Sequence, residues 1–485
     1  MLVVVFIPGY SRAAETVDGA SAGRQTESVV EPNTYAVEPE AATEELISGR
    51  GFRKFHYKGV SFAPGGFFDG TAVVRSANEN ADVQSTFANI PLHGSANSHL
   101  REFRGTARGS RLNLLSEGHY RNTTIAGYVE LDFLGSSTSG NELETNSWNP
   151  RLRQLWGHVD LSNGISLLFG QSWSLLTTHR LGLKPRQEFI PLNTDLQSVV
   201  GNNWARQWGL RVTKAVGSTL LMAVAIENPE TSVNGVVQPT GVLGFNTSPN
   251  AQTPSNFFTT STTPGANGIS TDFAPDIIGK LVWEPGYGHW ELKGILRFFQ
   301  DRLDAHTHVA IGGGAGFAAV LPLTSTINLI AEGLVGQGIG RYASTIGADV
   351  VASPSGKIVP IPAFHFMGGL EWHPTKEWDV YAYYGIEHYA RTAYAATPIG
   401  YGSPFADLSG CAVEGPGTQP CQAANATITQ VQPGIWYRVI TSDIGSVALG
   451  LSYSYTHRTV WSGSNGLRPW GEEHTMMTTI RYYLP

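Results

Sequence analysis

An all-β protein is what this sequence predicts, and three observations predict it. Segments of strict apolar–polar alternation recur from about residue 52 to the end, with no long helical period between them. Aromatic residues and glycine are plentiful (21 Phe, 18 Tyr, 12 Trp, 56 Gly), which favours strands and turns. Charged residues are only 15% of the 485, well under the roughly 25% usual for soluble chains.

The alternation has a particular chemistry. In "IAGYVELDFLG" (125–135), Glu130 and Asp132 sit between Val129, Leu131 and Phe133. In "SVALGLSYSYTH" (446–457), Val447, Leu449, Leu451, Tyr453 and Tyr455 share one face, and small polar residues share the other. In "DIIGKLVWEPGYGHWELKGILRFFQDR" (276–302), Trp290, Leu292, Gly294, Leu296 and Phe298 oppose His289, Glu291, Lys293, Ile295 and Arg297. A face carrying full charges cannot lie in a packed core, where unpaired charge is costly. A face so regularly apolar cannot lie in water. A transmembrane antiparallel β-barrel, lipid outside and water inside, satisfies both. A catalytic acid pair is the alternative reading of Glu130 and Asp132, and the barrel makes it unnecessary.

The elements follow in order. "MLVVVFIPGYSRAAET" carries an apolar run and then Ala13-Ala14, which read as the tail of an export signal; a short exposed tail is the alternative. Residues 15–50 are acidic and aperiodic, so 1–50 reads as a signal-like segment and flexible leader, and 51–485 as the barrel. Short turns fall near 119–123, 161–164, 215–218, 285–288, 321–325, 373–377 and 441–445. Long Gly/Pro/Asn/Thr-rich stretches fall near 77–103, 135–149, 172–203, 228–275, 300–307, 334–363, 391–432 and 458–474. With a strand before the first turn and after the last, the pattern gives about sixteen strands, and about eighteen lies within the error of such boundaries. Short turns on one side and long loops on the other match periplasmic and extracellular ends. A barrel of this size is wide enough for an aqueous channel.

Other features narrow the field. No stretch approaches the length of apolar residues that a membrane-spanning helix needs. A net charge of −7 argues against nucleic-acid binding. Cys411 and Cys421 flank a Gly/Pro-rich loop and read as a disulfide of an oxidising compartment, with two free thiols as the alternative. "HTH" (306–308) lacks a third metal ligand, and "GGGAG" (312–316) lacks the Lys-Ser/Thr of a phosphate loop. The sequence nominates no catalytic residue, no metal and no cofactor.

The stretches "SRLNLLSEG" (110–118), "GYVELDFLG" (127–135), "RLRQLWG" (151–157), "LLFGQSWSLL" (167–176), "WARQWGLRVTK" (204–214), "GIGRY" (338–342) and "IRYYLP" (480–485) resemble bacterial outer-membrane porins, in particular the DcaP-like trimeric porins. The resemblance is patchy over 52–485. It implies a sixteen-stranded homotrimer in the outer membrane of a Gram-negative bacterium. Such a trimer sits among outer-membrane lipid and lipopolysaccharide and admits small hydrophilic, often anionic, solutes without energy input. It also implies that the third loop folds inward to narrow the pore. Two departures stand out: the leader shows no heptads of a helical extension, and the chain ends Leu484-Pro485 where porins commonly end on an aromatic.

Strand parity nominates lumen-facing charges: Arg111, Arg151, Arg153, Arg211, Lys280, Lys293 and Arg297 against Glu117, Glu130, Asp132, Glu227, Glu284 and Glu291. The third loop (171–203) adds Arg180, Lys184 and Arg186 against Glu188 and Asp195. Facing the wall carboxylates, those three cations would create a transverse field and favour anions; solvated charges at the mouth are the bland alternative. Arg206 falls on the lipid-facing parity of Trp204, Trp208 and Leu210, so it snorkels, lies at a subunit contact or marks a bulge. Tyr381, Tyr383 and Tyr389 share one parity and keep open a sugar-selective porin. A secreted all-β carbohydrate-binding protein or enzyme is the reading from a different class.

Overall fold

The computed structural model describes residues 54–79, 81–135, 149–195, 198–233, 272–303, 306–414 and 421–485; the expected leader, 1–50, lies outside them. Its main sheet contains eighteen segments. One is a short flap, Phe55–Tyr57, and two others are halves of a single interrupted strand, which leaves sixteen wall strands.

In chain order the wall is β1 (Val60–Arg75), β2 (Glu102–Thr106 continued by Arg111–Tyr120), β3 (Thr123–Asp132), β4 (Arg151–Asp160), β5 (Ile165–Trp173), β6 (Arg206–Val216), β7 (Leu220–Glu227) and β8 (Asp276–Trp283). It continues with β9 (His289–Leu303), β10 (His306–Pro322), β11 (Ile327–Gln337), β12 (Pro362–Trp372), β13 (Trp378–Tyr389), β14 (Asn425–Ser442), β15 (Gly445–Val460) and β16 (Trp470–Tyr483). Each strand pairs antiparallel with the next, and β16 returns to β1 from Phe67↔Tyr483 to Arg75↔Thr475. The ring is closed, so no long edge is left to recruit another chain. Where β16 stops, Phe55–Tyr57 takes over the free edge of β1 through the hairpin at Lys58-Gly59, whose φ angles of 48° and 81° are those of a tight two-residue turn.

The period-2 pattern does what the charges demand. Leu292, Val335, Leu451 and Ile480 point outward and are 45–61% exposed, while Glu130, Asp132, Arg153 and Lys293 point inward and are at most 3% exposed. In water the outer apolar band would be untenable; in lipid it is the stabilising surface.

The structure corrects the sequence reading at two places. Of the open stretch expected over 300–307, the described residues are strand: β9 continues to Leu303 and β10 starts at His306, with Leu303 opposite His306. His308 of that stretch faces Asp301 at 3.0 Å, and no cluster of metal ligands forms among the described residues. The second correction is a β-bulge: Glu130 pairs with Gln154 but Leu131 with Leu152, leaving Arg153 as the extra residue of β4. Parity reverses there, so Trp156, His158 and Asp160 turn inward although simple alternation from Arg151 would turn them out.

Candidate functional site

The third long loop, residues 174–205 between β5 and β6, is buried almost throughout and bonds to the inner faces of many strands. Its anchors are acids spread along the wall from β7 to β13. Glu227 accepts from Leu175 N (2.7 Å), Glu291 from His179 N (2.8 Å) and Glu284 from Gly182 N (2.6 Å). Glu371 takes a two-pronged pair from Arg180 (2.7 and 2.8 Å), and Glu387 accepts from Gly201 N (2.9 Å). Glu332 grips both arms: its Oε2 accepts from Thr178 Oγ1 and its Oε1 from Asn203 N at 3.0 Å. Further on, Tyr383 OH meets Leu192 N, Trp436 Nε1 donates to Leu192 O, and Thr194 meets Ser452. Buried carboxylates receiving backbone N–H groups are strong, charge-assisted bonds.

The loop also spans the depth of the barrel. It leaves the extracellular end of β5, yet Gly182 reaches Glu284 in the turn 284–288 and Lys184 reaches Asp160 at the opposite, turn end of β4. Near that end His179 is buried beside Lys280, and both burial and that ammonium push its imidazole down to about 3, so it is neutral.

These contacts divide the predicted residues. Lys280 donates to Thr177 O (2.7 Å) and Glu291 (2.9 Å), and Lys293 to Leu176 O (2.9 Å) and Thr178 Oγ1 (3.0 Å). Arg211 donates to Trp173 O at 2.7 Å, and Arg297 to Asp276 at 3.2 Å and Gly338 O at 2.6 Å. Together with Arg180, Glu227, Glu284 and Glu291, they hold loops against the wall instead of facing an open gap. The expected field between Arg180 and the strand acids is therefore a buried ion pair with Glu371.

The other half of the wall keeps a different set. Arg151 pairs with Asp132 through Nε (3.0 Å) and Nη2 (2.7 Å); Arg153 pairs with Glu130 and, at 2.9 Å, with Asp132; Arg111 lies 3.8 Å from Glu130. The acids in "VELD" are thus the anionic half of an arginine lattice. Tyr128, on the same parity, donates to Glu130 at 2.9 Å and stacks on Trp156. Arg186 reaches over from loop 3 to lie 5.0 Å above the Tyr128 ring, with a backbone φ of 69° that non-glycine residues rarely adopt. Arg206 sits over Trp173 and Trp204 at 4.8 and 5.2 Å. Glu117, on the turn side, pairs loosely with Lys54 at 4.0 Å. Cys411 and Cys421 are joined in the loop between β13 and β14, their Cα atoms 4.6 Å apart.

Sequence reasoning missed Tyr128, His158, Asp160, Glu332, Glu371, Glu387 and Arg481. Tyr128 was signalled by its parity with Glu130. His158 and Asp160 were hidden by the bulge, and Arg481, which lies 4.3 Å above Phe67, by its place at the last strand's end.

A closed sixteen-stranded antiparallel barrel with an apolar exterior and a charged interior defines the class. Among solved structures the chain is similar to the outer-membrane channel DcaP of Acinetobacter baumannii: 16% identity, TM-score 0.62, covering 89% of this chain and 99% of that one. Weaker likenesses are to an anion-selective porin from Comamonas acidovorans (10% identity, TM-score 0.46, 88% of this chain and 100% of that) and OprB of Pseudomonas putida (10%, 0.47, 87% and 94%). No family model and no curated protein sequence matches the chain. The chain has the fold of the DcaP channel.

Proposed function

We propose that this protein is a porin of the bacterial outer membrane, a passive channel for small hydrophilic solutes with a preference for anions, in which loop 3 narrows the pore. It makes no covalent intermediate, and the solute gradient drives flux. The observation that carries the anion preference is the engagement of Glu227, Glu284, Glu291, Glu332, Glu371 and Glu387 with loop 3. With those acids engaged, Arg111, Arg151 and Arg153 meet Glu130 and Asp132, and Arg186 lies over the Tyr128 ring. An excess of guanidinium in a low-dielectric wall raises local anion concentration. Assembly as a homotrimer among outer-membrane lipid and lipopolysaccharide belongs to the same proposal.

A sugar ladder is not favoured: Tyr381, Tyr383 and Tyr389 are at most 2% exposed, and Tyr383 is hydrogen-bonded under loop 3. The outward apolar band speaks against a secreted carbohydrate-binding protein or enzyme. The test is the reversal potential of purified protein in a planar bilayer under a salt gradient. Stepwise currents reversing toward anions are expected; cation preference would transfer selectivity to Glu130 and Asp132, and silence from folded protein would sink the transport reading.

A further inference from the structure

Most ion pairs inside this barrel are sealed. Lys280–Glu291 and Lys293–Glu332 have fully buried side chains. At the tip of loop 3 the situation changes. Lys184 Nζ meets Asp160 Oδ2 at 3.0 Å with the two side chains 52% and 26% exposed, so this pair stands in water at the turn end of the wall. His158 Nε2 lies 3.7 Å from the other Asp160 oxygen. The tip is placed by neighbours on either side: Gly182 N donates to Glu284, which also faces His289 Nδ1 at 2.8 Å, and Lys184 N donates to Gln187 Oε1 at 3.1 Å. The backbone is thus fixed while the ammonium is free to change partners.

An exposed pair of this kind is weak, screened and quick to exchange. It also links the loop tip to the turn end of β4, the end by which a solute would leave on the porin reading. We propose that Lys184 and Asp160 form an exit gate at the periplasmic rim: an outgoing anion replaces the Asp160 carboxylate on Lys184 and then leaves, while Asp160 repels it from the bare wall. The inference rests on the porin reading and adds to it a second selectivity point, at the end of β4 opposite Arg151 and Arg153.

The test compares Lys184→Gln and Asp160→Asn in planar bilayers, with chloride and potassium as the permeant ions. Removing the cation should lower the chloride-to-potassium permeability ratio about two- to threefold, and removing the carboxylate should raise it by a similar factor. A pair that merely ties down the loop would respond otherwise, because either variant breaks the same tether and the ratio would move in one direction for both. Same-direction shifts, or no shift in either, overturn the gate. Lys184→Met and Asp160→Ser take the same roles should a first variant lose its heat-modifiable migration on a denaturing gel. Channels from the parent protein are the separate control: their absence would bring down the porin reading itself, whereas channels with unmoved selectivity would remove only the gate.

Discussion

Gly385 marks where loop 3 presses hardest on the wall. A Cβ there would stand 1.7 Å from the Val200 carbonyl oxygen, and one on Gly201, whose φ is +84°, would stand 1.9 Å from the carbonyl oxygen of Phe366. Neither neighbour is a flexible side-chain end. Gly385→Val is expected to lift the loop, raising single-channel conductance while the barrel keeps its heat-modifiable gel shift; unchanged conductance would show that the loop tolerates the displacement. Asp195 sits at the loop's other contact, where Ser85 N donates to its Oδ1 at 3.2 Å and Gln84 donates to Ser198 at 3.0 Å. Burial pushes this carboxyl up to about 7, opposed by the pull of Ser85 and Arg75. With the folded value above the unfolded one, the bound proton stabilises the fold: its contribution is full below about pH 4 and is lost as pH rises through about 7. Thermal melts of the parent should therefore weaken between about pH 5 and pH 8 more than those of Asp195→Asn, and parallel curves would refute the assignment. At this scale the sequence revealed which way a side chain points, because parity needs only the neighbours. It did not reveal which partner the side chain meets: Arg180 read as a pore cation facing the strand carboxylates across a field, but it is bound to one of them, Glu371, 191 residues away.

Among its described residues loop 3 has little regular structure, an antiparallel bridge between His179 and Glu188, and is held by contacts distributed along its length. Glu332 is the contact that closes its base, joining Thr178 and Asn203 across separations of 154 and 129 residues. Glu332→Gln keeps the size but weakens both bonds and leaves Lys293 without its carboxylate, so broader, noisier open-channel currents are expected. A conductance trace indistinguishable from the parent would place the hold elsewhere. The existence and length of this loop were legible as a long turn-rich run, and its inward path entered only through resemblance. Long-range acids set that path, and no local pattern encodes them. The bulge at Arg153 is a similar case, one unpaired residue that reverses the parity of everything after it on β4. Misreading 300–307 had a different cause: the polar run there carries no apolar alternation, so the signal that identifies strands fades although the ladder persists.

At the scale of the molecule, the sixteen-strand closure was nearly fully legible, because charges alternating with aromatics exclude every packed alternative. The outer band should be as sensitive as that argument requires. Leu451→Arg, on the outward face of β15, is expected to cost about 2–4 kcal/mol near the bilayer midplane, read as a lower unfolding temperature in lipid, while arginine at inward-facing Ser452 would act on conductance instead. The path of loop 3 has a further consequence, an electrical one. A narrow waist would concentrate the applied voltage over a few ångströms, but a loop running from the outer rim to the turn 284–288 makes the lumen a distributed resistor. An anion resting near Lys184 has then crossed most of the potential if it came from outside and almost none if it came from the periplasm. With about 2.3 kcal/mol per charge per 100 mV to be divided along the route, a slow anionic blocker should show steep voltage dependence from the extracellular side and a nearly flat one from the other.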